Sequence, residues 1–179
     1  MTGRHEMWDG SQRLEIPVPV SGTENVMIPV IRVVVRTPDG GSILLQRRDA
    51  ASEPVRGHLE IPGGRWRTGE SPLAAARREV HEETGIRLLS VDGITEDRID
   101  PERTIATVKP LAVIAGTAGA FPAIHIVLTG IGEGIPTNEA GATTDVRWWS
   151  LEDVRNELVT DRAGFVPSSF AAIDAFLAS

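Results

Sequence analysis

Residues 63–86, GGRWRTGESPLAAARREVHEETGI, constrain the fold most, because they contain the signals for both ends of one helix. Ser71 is a favoured N-cap residue, and Pro72 suits the first helical position. Gly85 suits the left-handed C-cap. Three apolar residues recur at the spacing of a buried helical face: Leu73, Ala76 and Val80. The stretch therefore predicts a helix from Pro72 to about Thr84 with one face in the core.

The same helix carries three glutamates on a neighbouring stripe, which we expect to face outward: Glu79, Glu82 and Glu83. At positions i, i+3 and i+4 their side chains can converge beside the helix. Gathered carboxylates repel one another unless a cation lies among them, and their hard oxygens suit Mg²⁺ or Mn²⁺. Gly63 and Gly64 would let the backbone approach such an ion closely. The alternative is a solvated acidic surface.

The spacing of this stretch resembles the Nudix box, G-x5-E-x7-R-E-U-x-E-E-x-G-U, in which U is aliphatic. Each fixed position is matched, by Gly64, Glu70, Arg78, Glu79, Val80, Glu82, Glu83, Gly85 and Ile86. The resemblance covers roughly residues 28–155. It implies an α/β (α+β) fold, a Nudix-type α/β/α sandwich with a mixed β-sheet.

The resemblance also implies Mg²⁺- or Mn²⁺-dependent cleavage of the diphosphate linkage in a nucleoside diphosphate derivative. The implied metal ligands are Glu79, Glu82, Glu83 and the carbonyl of Gly63. Arg78 would orient the glutamates, Gly64 would be a structural position of the box, and Glu70 would stabilise the junction between loop and helix. The general base stays open among Glu82 and Glu79 in the box and Glu139 in a later loop.

The substrate is less constrained by the sequence. Pro101, fifteen positions after Ile86, favours ADP-ribose or a nucleotide sugar. The alternatives are a (d)NTP pyrophosphohydrolase and a Nudix-fold sensor that binds a nucleotide metabolite without cleaving it. Three side chains are candidates for substrate contact: Arg47 and Arg48 at a strand end, and Trp66 in the loop of the box.

The remaining segments predict strands before the helix and helices at the end of the chain. Two apolar runs flank Pro38-Asp39-Gly40-Gly41, which indicates a β-hairpin. HLEIPGG, TVKPLAVIAG, AIHIVLTGIG and TTDVRWWS indicate further strands. Ser150 and Asp153 resemble a capping box for a helix through about Val159, and a last helix is expected at 168–178. We expect an N-terminal extension or arm at 1–25 and the Nudix domain at 26–179.

Composition narrows the class of partner. The net charge of −7 argues against a nucleic acid polymer as partner, although bound cations would still admit small anionic substrates. No apolar run is long enough to span a bilayer, and the N-terminus lacks the apolar stretch of a signal peptide, so we expect a cytoplasmic protein. The absence of cysteine excludes disulfides and thiolate metal sites. The extended stretch 14–20 could pair across a homodimer.

Overall fold

The computed structural model describes residues 3–8, 13–18, 27–49, 55–100, 103–116 and 122–179. Its strands, in chain order, are β1 (Gly3–Trp8), β2 (Arg13–Val18), β3 (Ile28–Arg36), β4 (Ser42–Arg48), β5 (Leu59–Glu60), β6 (Gly63–Arg65), β7 (Arg87–Val91), β8 (Ile94–Asp100), β9 (Arg103–Val108), β10 (Ala112–Gly116), β11 (Ala123–Glu133) and β12 (Thr143–Ser150). The helices are α1 (Pro72–Thr84), α2 (Leu151–Thr160) and α3 (Pro167–Leu177), with a short 3-10 turn at Arg162–Gly164.

The central sheet is mixed. Its main path runs β10-β11-β3-β4-β12, and the short strands β5, β6 and β7 pair with β4, β3 and β11. β11 lies parallel to β3, whereas the other neighbours are antiparallel. Two hairpins, β1-β2 and β8-β9, form separate two-stranded sheets. The prediction of a mixed sheet is confirmed.

Helices cover both faces of this sheet, because successive side chains of a strand point to opposite faces. On β3, Val33 and Val35 belong to the core cluster that contains Ala75, Ala76 and Val80 of α1. Val34 belongs instead to the cluster that contains Val154 of α2 and Ile173 of α3. The predicted α/β/α sandwich is therefore confirmed. In the described part of the chain, no helix is long and apolar enough to cross a membrane.

The hairpin of β3 and β4 pairs only near its turn. The turn is closed as predicted, with Thr37 N–H donating to the Ser42 carbonyl, and Arg36 pairs with Ile43. Beyond this point β3 pairs with β6 and β4 with β5. The segment predicted as one strand, HLEIPGG, is thus two short strands that separate β3 from β4. This arrangement places the Gly-Gly turn beside the middle of β3.

Helix α1 has the predicted ends. Ser71 Oγ accepts the Ala74 N–H at the N-cap, and Gly85 is in the left-handed conformation at the C-cap. The buried face differs in part from the prediction, because Leu73 is half-buried and Ala75 is fully buried. The outward direction predicted for Glu79 was wrong, since that side chain is only 8% exposed. The N-cap hydrogen bond of α2 from Asp153 N–H to Ser150 Oγ is as predicted.

Several strands differ from the sequence prediction. The segment 107–116 is divided between β9 and β10, and β7 and β8 were not predicted, although Asp92-Gly93 between them is a strong turn signal. The extended stretch at 14–20 is β2 of a hairpin up to Val18, and its last two residues lie outside the described residues. Pro101, which favoured ADP-ribose, also lies outside them.

We predict that Ser71→Ala lowers the free energy of unfolding by about 1 kcal/mol, because the Ala74 N–H loses its capping acceptor. Urea denaturation would measure this change. Ser71→Thr is the matched control, since threonine keeps a hydroxyl that can accept the same N–H. Equal losses in the two variants would show that the side-chain hydrogen bond contributes nothing.

Candidate active site

Two glycines allow strand β6 to pass very close to β3 and α1. Gly63 has φ of +146°, and a Cβ there would lie 2.3 Å from the Ile31 carbonyl oxygen. A Cβ on Gly64 would lie 2.4 Å from Oε2 of Glu79. The missing side chain of Gly64 is therefore the space that the Glu79 carboxylate occupies, which explains why this glutamate is buried rather than outward-facing.

Arg78 joins the acidic groups of this region. Its Nε and Nη2 donate to the two carboxylate oxygens of Glu70, at 2.5 and 2.9 Å. Its Nη1 donates to Glu79 at 2.5 Å and to Glu82 at 3.1 Å, and Nη2 also reaches the Arg65 carbonyl. The hydrogen bonds from Arg78 lower the pKa of Glu70, and the hydrogen bonds to Glu70 raise the pKa of Arg78. Arg78 thus lies where an orienting residue is expected, and Glu70 lies at the junction between loop and helix.

Glu83 points away from Arg78 toward the sheet. Its Oε2 accepts the backbone N–H of Gly63 at 2.9 Å and the side-chain amide of Gln46 at 2.8 Å. Burial, together with the negative charge of Glu60, raises the pKa of Glu83 to about 8. Burial also raises the pKa of Glu79, although Arg78 opposes this effect. Both carboxylates are therefore held in places where a lone negative charge is unfavourable.

The loop after β11 brings Glu139 to the same region. The Glu139 N–H donates to Thr143 Oγ1, which in turn donates to the Glu83 carbonyl. Thr137 N–H donates to the Thr84 carbonyl, so the loop is attached to the C-terminal end of α1. Burial, and then the charge of Glu82, raise the pKa of Glu139. The structure thus brings this loop acid near Glu82.

The three candidates for substrate contact have different surroundings. Arg47 donates to the Gly57 carbonyl and pairs with Asp145. Arg48 instead pairs with the buried Glu60, with Nε 3.0 Å from Oε1. The negative charge of Glu60 helps to raise the pKa of Glu83, a residue of the box. Because Arg48 pairs with Glu60, Arg48 rather than Arg47 is the arginine on the side of β4 that faces the box. Trp66 is half-buried against the α1 cluster, and its Nε1 donates to the Glu70 carbonyl.

Sequence reasoning missed a buried polar group around Arg32. Arg32 is 4% exposed, and its Nη1 donates to Glu60 Oε2 and to the Ile61 carbonyl. Its Nε lies 3.3 Å from Nδ1 of His125 on β11. Burial and the positive charges of Arg32 and Arg48 lower the pKa of His125 to about 4. The signal in the sequence was the single arginine inside the run VIRVVV, because a charged residue in a buried strand requires a partner.

The helical spacing suggested that the three carboxylates converge on one point. In the structure they do not. Among the described residues, no three His, Asp or Glu side chains are grouped closely enough to hold a metal ion. Arg78 holds Glu79 and Glu82, while Gln46 and the Gly63 N–H hold Glu83. The donor set nevertheless fits Mg²⁺ or Mn²⁺, because its groups are oxygen ligands and burial raises the pKa values of two of them, Glu79 and Glu83.

The NUDIX domain family model matches residues 27–168. The chain belongs to the NUDIX domain family. Its fold is similar to that of a MutT protein from Methanosarcina mazei Go1, with a TM-score of 0.62 and 23% identity over 88% of this chain and 95% of that chain. It is also similar to a MutT NUDIX hydrolase from Burkholderia pseudomallei, with a TM-score of 0.61 and 20% identity over 84% of this chain and 98% of that chain. By family and by fold, the chain is a Nudix hydrolase.

Two further similar proteins do not carry the MutT name. The NUDIX domain of Shewanella oneidensis NrtR, solved in complex with ADP ribose, has a TM-score of 0.55 and 18% identity over 74% of this chain and 79% of that chain. An octanoyltransferase from Myxococcus xanthus is 39% identical over 83 residues, which are 46% of this chain. The matched region spans 20% of that longer protein.

We predict that Gly64→Ala weakens Mn²⁺ binding by about 10-fold or more, because the new methyl group would displace the Glu79 carboxylate. Titration of Mn²⁺ followed by electron paramagnetic resonance would measure the dissociation constant. Gly41→Ala is the matched control, since its Cβ would meet Asp39 at an ordinary 3.5 Å. Wild-type affinity in the Gly64 variant would contradict the prediction.

We predict that His125 lowers stability in acid. Its pKa is about 4 in the folded protein against an ordinary 6.5, so the unfolded chain binds a proton first. Stability is therefore lost as the pH falls from 6.5 toward 4, by about 1–2 kcal/mol after allowance for solvent screening. His125→Gln should show a flatter dependence in urea denaturation across this range. Parallel curves for the two proteins would contradict the prediction.

Proposed function

We propose that the chain uses Mg²⁺ or Mn²⁺ to hydrolyse the diphosphate linkage of a nucleoside diphosphate derivative. The observation that carries this proposal is the arrangement of the complete box. Gly63 and Gly64 of β6, the Arg78 hydrogen bonds and the two desolvated glutamates Glu79 and Glu83 lie along one edge of α1. Such groups favour a divalent cation and the diphosphate that accompanies it.

The residues that would hold the ion are Glu79, Glu82, Glu83 and the carbonyl of Gly63. When bound, the ion supplies neutralisation of the diphosphate oxygens and a more acidic water. The protein holds the ligand side chains in position. Arg78 restrains Glu79 and Glu82 with one nitrogen, and the Gly63 N–H restrains Glu83. These restraints reduce the conformational entropy that the carboxylate side chains would lose when the ion binds.

We propose Glu139 as the general base. Its pKa is raised by burial and by Glu82, which makes its carboxylate a stronger proton acceptor. Its backbone is tied through Thr143 to the last turn of α1, which supports a defined position near the box. The other candidates, Glu82 and Glu79, already accept hydrogen bonds from Arg78, which favours a role in metal binding.

We propose that Arg48 contacts the substrate diphosphate. It lies at the end of β4 with its side chain 25% exposed, and it shares Glu60 with the buried Arg32. The shared Glu60 carboxylate therefore restrains the direction of its guanidinium. Arg47 is held toward Gly57 and Asp145, so we assign it no contact with the diphosphate. Trp66 is assigned to the packing of the box loop, since its indole N–H is bonded to Glu70.

For the substrate we propose ADP-ribose or a nucleotide sugar. The relative solved with ADP ribose supports placing this class first, and (d)NTPs are the second class because two similar structures are MutT proteins. We predict Mg²⁺-dependent phosphate release, in a phosphatase-coupled assay, from at least one member of a panel of ADP-ribose, nucleotide sugars and (d)NTPs. Binding without turnover across the panel would favour a sensor.

We predict that Glu139→Gln lowers kcat by about 10²–10⁴ and leaves the Mn²⁺ dissociation constant near the wild-type value, because a base is removed but no ligand. Glu82→Gln should weaken Mn²⁺ binding as well as turnover. Steady-state kinetics and Mn²⁺ titration would separate the two roles. Glu133→Gln, an exposed glutamate paired with Arg87, is the control. A normal kcat in the Glu139 variant would contradict its assignment.

A further inference from the structure

Gln46 is a fully buried amide in β4, next to the acidic residues Glu60 and Glu83. It is 0% exposed, and it is the pairing partner of Glu60 across the β4-β5 ladder. On its other side, its Nε2 lies 2.8 Å from the Glu83 carboxylate. A neutral amide therefore contacts Glu83 and lies opposite Glu60, which is already paired with Arg32 and Arg48.

The hydrogen bond from Gln46 selects one oxygen of Glu83. Nε2 donates to Oε2, and the Gly63 N–H donates to the same oxygen at 2.9 Å. Among the described residues both donors reach Oε2 and neither reaches Oε1. With two donors on one oxygen, the other oxygen is left as the stronger candidate for a cation. Gln46 thus sets both the direction of the Glu83 carboxylate and which of its oxygens remains for the ion.

The other end of the same amide lacks a partner. Gln46 Oε1 is buried and has no hydrogen-bond donor among the described residues. Buried polar atoms are nearly always bonded, so this acceptor calls for a donor that the protein chain does not supply. Rotation of the amide would turn its oxygen toward Glu83 Oε2, which already accepts the Gly63 N–H, and would remove the Gln46 donor from that oxygen. The orientation with Nε2 toward Glu83 therefore keeps this hydrogen bond and leaves Oε1 as the unpaired acceptor.

We propose that Gln46 is a positioning residue for the metal centre. Nε2 holds the Glu83 carboxylate, and Oε1 accepts a hydrogen bond from a water of the hydration shell of the ion. Mg²⁺ and Mn²⁺ sites commonly keep several waters, which are strong donors. The inference rests on the proposed function only in requiring a divalent cation at the box, and it does not depend on the substrate.

Gln46→Met tests this role, because methionine keeps the length of the side chain but lacks both the donor and the acceptor. We expect the Mn²⁺ dissociation constant, measured by electron paramagnetic resonance, to rise about 10–100-fold, as for other residues that orient metal ligands. The metal-free protein should melt within a few degrees of the wild type. Ser169→Ala, another fully buried polar residue, is the matched control and should keep wild-type Mn²⁺ affinity. An unchanged Mn²⁺ affinity in folded Gln46→Met would overturn the proposal.

If Gln46→Met fails to fold, Gln46→Asn replaces it, because the shorter amide withdraws both groups from reach and should weaken Mn²⁺ binding in the same way. A crystal structure of the wild-type protein with Mn²⁺ tests the acceptor directly. A metal-bound water within hydrogen-bond distance of Gln46 Oε1 is expected, and a protein donor in that place would overturn this part.

Failure of the proposed function is distinguishable from failure of this role. If the wild-type protein binds Mn²⁺ normally but turns over no substrate, the proposed reaction is contradicted and the role of Gln46 is not. If the Gln46 variants bind Mn²⁺ with wild-type affinity, the role of Gln46 is contradicted and the proposed reaction is not.

Discussion

The guanidinium of Arg78 is the group on which the geometry of the site depends. It binds Glu70 through two nitrogens and reaches Glu79 and Glu82 through the third. One cation therefore offsets the repulsion among three carboxylates and joins the loop of the box to the helix. Such charge-assisted hydrogen bonds are stronger than neutral ones, and the paired geometry on Glu70 also fixes the plane of the guanidinium. Glu83 lies outside this group and depends instead on the sheet.

The sheet can hold Glu83 because β3 and β4 separate after their turn. The segment β5-β6 fills the gap and places Gly63 and Glu60 against the two strands. Glu60 is 2% exposed, and the arginines on both sides supply the charge that a buried carboxylate needs. The cluster of Arg32, Arg48 and Glu60 in this gap thus connects the packing of the sheet with the acidic face of α1. Gln46 and His125 lie at the two ends of this group.

Local signals predicted the elements whose ends depend on neighbouring residues. The caps of α1 and α2 and the turn at 38–41 involve hydrogen bonds within a few residues, so their residue types indicate them directly. The division of HLEIPGG into two strands could not be predicted in this way, because each half pairs with a different strand far along the chain. The burial of Glu79 also escaped prediction, because helical periodicity places a side chain on a stripe but does not show a glycine opposite it.

The sequence by itself determined the family, the helix that carries the glutamates and the chemistry that oxygen ligands favour, since these depend on residue types at short fixed spacings. Only the tertiary structure decided how the carboxylates are held. Glu79 enters the space left by Gly64, Glu83 turns toward Gln46, and Glu139 arrives on a loop attached to α1. The physical reason is that each of these carboxylates is desolvated by segments distant in sequence, and desolvation raises its pKa only once those segments are packed together.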